Sequence, residues 1–575
     1  MFVLWYFLFP LLFLNFNFKK SSRSEQILRY AIGFVYSFSV FYFGNEDRSI
    51  SFAIANLKWV AIFQLILNFA SILNKRSLKE GKEIVISKFN ALFVIILTAS
   101  IIYSSAPYTY GGAKNLYTMT NVKESDNQSP KIDTENIIII PPETAYYQMQ
   151  TLIGSLPNPS LYKIGQVTLT KTEKGAYYVA PIDIEGGLKA FLNKELPGIA
   201  YVSAEKLEDA KLVSVPYKYG ESLVLNHNIY RRLRTYVPDK ILLNANVELD
   251  DNLNPYYVGS YGHYKYGRNG IVVDGVLLYN TKTGEVQNFS KNKVPAWVDQ
   301  IYTSQVAETY NDYFGKYQNG LINSRIGQKG VHIPTQWAST VKLKGLEVES
   351  DQVVGVVGNN GGFYFFTDHT NTSSTSTTMT GYTLMNTRNG DMTYYKTPGF
   401  LNGQGAMNSI DKLLGANKSN WATVQPILYN LYGIDTWVVP VVNKTDGSFV
   451  KLGLVTAQSK YSVLADNKAD LLEALKKAIV DGSINENSDV KVKNNAELKK
   501  VQKEGKIVRI NQVVEGNKTV FYLKIDTEPN SIFMVDKGIN ADIVIARDGD
   551  SIKLEYVSIE NQKVVPVTGF QLKLQ

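Results

Sequence analysis

Residues 272–289 read VVDGVLLYNTKTGEVQNF. Val, Leu and Tyr crowd the stretch before Asn280, and a second β-prone run follows Gly284. Two such runs on either side of a short turn predict an antiparallel hairpin. Glycine at the turn supplies the positive φ that a tight reversal needs. The same grammar returns twice, as GYTLMNTRNGDMTYY at 381–395 and as WVVPVVNKTDGSFVK at 437–451, with Gly390 and Gly447 in the turn position. Helical patterns follow nearby at 296–317, 403–414 and 468–481. In the last, Leu471, Leu472, Leu475 and Ile479 recur at helical spacing. These units predict a β-rich α+β architecture.

Asp274 followed by Asn280-Thr-Lys-Thr-Gly284 resembles PepSY-like extracytoplasmic domains, whose strands read as an apolar run, an Asp and then a Thr-Gly turn. The second and third copies lack the Asp. The resemblance implies domains that bind or restrain partners and do not catalyse. No functional residue is carried over from it.

The N-terminal region has a different texture. Apolar runs occupy 2–18, 27–43, 50–73 and 89–103. A bilayer core of ~30 Å asks for about 20 apolar residues in a helix, and a helix apolar all round lies deep in a core or in lipid. The expectation is an α-helical transmembrane anchor of about four helices over 1–106, with a lipid bilayer as its partner. Lys19, Lys20 and Arg23 mark the first loop, and Lys75, Arg76, Lys79, Lys82 and Lys88 the third. Loop 44–49 carries Arg48 beside Glu46 and Asp47. This asymmetry places 107–575 outside the cytoplasm. The rest divides into a tether at 107–140, an α+β domain at 141–340, a second at 341–482, a linker at 483–504 and a small β-barrel, OB-like or SH3-like, at 505–575. The polar run 368–380 reads as a loop.

Composition excludes some chemistry. The chain has no cysteine, which rules out thiolate catalysis, disulfides and Cys-ligated zinc. Its 60 basic and 52 acidic residues leave a net +8, and the basic clusters flank apolar helices, so nucleic acid is not the expected partner. His227, His263, His332 and His369 share no metal-ligand spacing. No Gly-x-Ser-x-Gly elbow occurs. The glycine-rich stretch at 358–362 lacks the Lys-Ser/Thr of a phosphate loop, and the acidic stretch at 248–254 lacks the glycine and closing Glu of an EF-hand. Catalytic, metal and cofactor residues are therefore not assigned. Asp183 with Glu185, and Asp250 with Asp251, are available carboxylates, which keeps a hydrolase open because such a pair is defined by distance.

Tyrosine is densest after Pro255. Tyr256, Tyr257, Tyr261, Tyr264 and Tyr266 accompany Lys265 and Arg268, an aromatic-basic set suited to a protein, sugar or base surface. These seven residues are the candidate partner-binding segment. The reading is a membrane-anchored, non-catalytic extracytoplasmic scaffold or binding component of a cell-envelope assembly, with protein partners or self-association. The alternatives are a cell-wall or peptide-directed hydrolase and a membrane-tethered nucleic-acid-handling protein.

Overall fold

The computed structural model describes residues 4–16, 18, 21–76, 88–109, 111–126, 130, 134–337, 341–348, 350, 352–373, 375–480, 483–484, 499–515, 518–558 and 564–573. It holds four open sheets, a closed barrel and a set of N-terminal helices.

The four-helix membrane anchor is not what forms. Only one helix, over Ile50–Phe69, is long and apolar enough to cross a membrane among the described residues. The first run breaks at Pro10 into the helix Leu4–Leu8 and a 3-10 turn at Phe9–Phe13, because proline lacks an amide donor. The second forms the helix Arg23–Phe38, which carries Glu25 and Arg29. The fourth gives an apolar helix at Asn90–Ser104, shorter than a span requires. The integral-membrane, extracytoplasmic placement rested on four spans and loses that basis. Lys19, Lys20, Lys79 and Lys82 lie outside the described residues.

Sheet 1 pairs Tyr162–Ile164, Thr168–Thr172, Gly175–Ile184, Ile199–Ser203 and Lys211–Val213. Sheet 2 is an antiparallel meander of Ile241–Leu249, Pro255–Tyr266, Asn269–Asn280 and Val286–Ser290. Sheet 3 contains Val354–Val357, Phe363–Thr370, Met379–Asn386 and Met392–Lys396, with Lys123–Ser125 and Ile333–Pro334 at its borders. Sheet 4 contains Trp421–Thr423, Ile427–Leu431, Ile434–Asn443, Phe449–Thr456 and Ser462–Ala465. Strand alternation sends side chains to two cores. Val258, Val276 and Leu278 of sheet 2 join a core running from Ile137 to Ile484 through all four sheets. Tyr257, Leu277 and Tyr279 join a second core shared with sheet 1 and the helix Ile229–Arg234. Burial on both faces explains why 272–279 reads as an almost unbroken apolar run.

The three repeated turns are closed alike. Gly284, Gly390 and Gly447 have φ of 76°, 79° and 79°, and each glycine amide donates to the carbonyl of Asn280, Asn386 or Asn443 at 2.8–2.9 Å. The Asn side chain accepts amides from inside its own turn, an Asx arrangement. A register shift between Tyr261 and Gly262 leaves Asp274 bulged out of the ladder, where it meets Lys240 and His263 at 2.8 and 2.9 Å.

Several local expectations change. The tether region holds the helix Gly112–Thr120, whose Tyr117 stacks on Phe314 at 5.9 Å. Residues 137–140, the end of the expected tether, run buried into the helix Pro142–Ile153, with Pro142 at its first turn. The helix expected from 296 starts at Ser304, capped by the Thr303 hydroxyl. Asp368, His369 and Thr370 belong to a buried strand and not to a loop. Residues 485–498 of the expected linker lie outside the described residues. The C-terminal strands Lys499–Glu515, Lys518–Ile525, Ile532–Asp536, Val564–Lys573 and Ser551–Ser558 close into a barrel in that order. Between its strands Ala541–Val544 form a 3-10 turn capped by Asn540.

Candidate functional site

The aromatic-basic segment lies on the hairpin of sheet 2, and the pleat separates its members. Tyr257 and Tyr261 point into the second core; their hydroxyls meet Tyr217 at 3.5 Å and Asn288 at 2.8 Å. Tyr256 packs on Trp297 at 4.7 Å. Lys265 is exposed and lies over the Tyr266 ring. Tyr264 and Arg268 point elsewhere and line a cavity of about 400 Å³.

That cavity lies where the hairpin meets the N-terminal helices. The two-residue loop Gly267-Arg268 turns the chain, with Gly267 at φ 62°. The Arg268 guanidinium sits 4.5 Å over Tyr264 and 5.5 Å over Phe52. It reaches Asp47 at 2.6 Å and Glu46 at 3.4 Å. Ser51 donates to the Gly267 carbonyl at 2.6 Å, and Asn269 donates to the Ser104 carbonyl at 2.8 Å. The helix Ile229–Arg234 supplies two more arginines: Arg231 donates to the Tyr42 carbonyl at 2.8 Å and Arg234 to the Asn45 carbonyl at 2.7 Å. Burial lowers the Arg234 pKa to about 10, and burial raises that of Glu46. Planar guanidinium forks suit this mixture of carboxylate, carbonyl and ring partners. Arg231 and Arg234 did not enter the sequence reading, although the run Arg231-Arg232-Leu233-Arg234 is a visible basic cluster.

Two buried titratable groupings also escaped the sequence. His332 and His369, 37 residues apart, meet Nδ1 to Nδ1 at 2.8 Å. Asn311 donates to the Ala307 carbonyl, which turns its Oδ1 to His369 Nε2 at 2.8 Å. His369 therefore carries its proton on Nε2, and His332 donates from Nδ1. Burial lowers His332 to about 4 and His369 well below its ordinary value. Asp183 accepts from Ser222 at 2.9 Å and burial raises it to about 6. Burial, then the charge of Asp183, raises Glu221 to about 8. Neither carboxylate lines either described cavity. Among the described residues no group of three or more His, Asp or Glu could hold a metal ion.

No family model and no curated protein matches the chain. Among solved structures, the β-propeller domain of Nup133 from Vanderwaltozyma polyspora aligns at 8% identity over 72% of this chain and 92% of that one, with a TM-score of 0.11. A likeness that slight carries no argument about fold or function.

Proposed function

We propose that the chain is a non-catalytic binding scaffold, a component of a larger protein assembly formed with other chains or with further copies of itself. The observation that carries this reading is the junction: the arginine and aromatic side chains around Arg268 are engaged in holding the N-terminal helices against sheet 2. Such side chains are the usual anchors of protein contacts. The cell-envelope setting depended on four membrane spans and falls with them.

The test is the native mass of the full chain purified in mild detergent, with every co-purifying chain identified. A defined assembly larger than one chain supports the scaffold. A monomer free of companions at every concentration tried removes it.

A further inference from the structure

A second cavity lies far in sequence from the junction, under the segment 341–348, between sheets 1 and 3 and the helix Gly403–Leu414. Its volume is about 450 Å³, and its walls are Leu169, Val354, Phe363, Phe365 and Met407, with Leu346 toward the outside. Sites that hold small molecules are commonly apolar clefts of this order of size at the meeting of structural units. A dry cavity of roughly 150 Å³ with a similar lining admits benzene.

The buried acceptor Gln300 Oε1 in this wall has no hydrogen-bond partner among the described residues. Gln300 is 2% exposed and lines the cavity. Its backbone amide donates to Glu248 Oε1 at 3.2 Å, and its Nε2 donates to the Leu169 carbonyl at 2.8 Å. The second of these bonds orients the side-chain amide, so that Oε1 is its remaining acceptor. No hydrogen-bond partner reaches Oε1 among the described residues. A buried acceptor without a donor costs about 1–3 kcal/mol, a cost that a ligand hydroxyl or N–H placed there would remove.

We propose that this cavity is a binding site for a small, uncharged, mainly apolar molecule carrying one hydroxyl or N–H donor, which meets Gln300 Oε1. The walls offer dispersion contact and the glutamine sets orientation. The site goes beyond the scaffold reading and shares no residue with the junction, so either can fail alone.

The experiment uses the full chain and two probes of similar shape, 2-naphthol and 2-methylnaphthalene, followed by titration calorimetry and thermal shift. The exposed apolar helices near the N-terminus will also take up aromatic probes. The site-specific component is therefore the part removed by Leu346→Trp, which fills the cavity from its outer wall. The expected result is saturable binding of 2-naphthol about tenfold tighter than of 2-methylnaphthalene, lost in Leu346→Trp. In Gln300→Leu, which removes the acceptor, the preference between the probes should vanish. Equal affinity of the two probes for the unaltered chain overturns the proposal, as does 2-naphthol binding that Leu346→Trp leaves unchanged. Should Gln300→Leu fail to fold, the comparison of probes and the Leu346→Trp result still decide the matter.

Discussion

Arg268 and Asp47, 221 residues apart, are joined by a 2.6 Å ion pair in which the carboxylate is 1% exposed. A buried carboxylate that loses its counter-ion is costly, about 3–5 kcal/mol in comparable pairs. The pair is also a packed one, because the guanidinium lies over the Phe52 ring at 5.5 Å and the Tyr264 ring at 4.5 Å.

Replacing Arg268 by Met should therefore destabilise the chain by about 3 kcal/mol or more. Adding Asp47→Asn should restore part of that loss, since an amide needs no counter-charge. Denaturant unfolding of the two single variants and the double variant measures the coupling. Additive losses would mean that the ion pair does not hold the junction.

Gly267 tests the same contact through the backbone. A Cβ there would lie 1.8 Å from the Tyr103 carbonyl oxygen, so Gly267→Ala must push the hairpin away from the N-terminal helices. Gly284 has a similar φ but open space around it. Gly284→Ala should cost only about 1–2 kcal/mol of left-handed strain, and Gly267→Ala clearly more. Hydrogen exchange at Arg48, whose amide donates to the Pro238 carbonyl at 2.8 Å, should accelerate only in Gly267→Ala.

The sequence made the turns legible because their chemistry is local. Asn280, Asn386 and Asn443 each precede a glycine by four positions, and backbone conformation dictates both residue types. The junction was half legible. Tyr264 and Arg268 stood out in a dense run, but nothing local shows that Asp47 is their counterpart or that Tyr257 turns inward. The N-terminal runs misled for a related reason. Apolar composition alone does not set helix length, and Pro10 ends one helix while the fourth is too short to span. Pairings such as His332 with His369 exist only once sheet 3 and the helix Ser304–Tyr317 have packed.

Glu221 gives a prediction with a definite sign. Its pKa rises from 4.5 to about 8 on folding, chiefly by burial. A raised folded pKa contributes stability that is fully present below the unfolded value and is lost as pH rises through the folded one. Glu221→Gln stays neutral throughout, so it should gain on the unaltered chain by up to about 1.4 kcal/mol for each pH unit between about 4.5 and 8. Unfolding midpoints of both proteins across that range provide the check. Parallel curves would show that Glu221 ionises freely in the folded chain.

The histidine pair should act in the opposite direction. His332 titrates near 6.5 when unfolded and near 4 when folded, because burial among Phe314, Tyr394 and His369 disfavours the charged ring. A depressed folded pKa gives stability that is present above the unfolded value and lost as pH falls toward the folded one. The shift corresponds to about 3 kcal/mol, withdrawn between roughly pH 6.5 and 4. Burial also keeps His369 neutral, with its Nδ1 lone pair engaged by His332, so protonating His369 removes the acceptor of the hydrogen bond between them, and protonating His332 places a charge in the same buried site. In His332→Gln the side-chain amide can still donate to His369 Nδ1 but cannot take up a proton. Relative to that variant, the unaltered chain should lose stability steadily from pH 6.5 to 4, while the carboxylates common to both proteins cancel in the comparison. A constant difference across that interval would place the His332 proton equilibrium at its ordinary value and contradict the buried neutral pair.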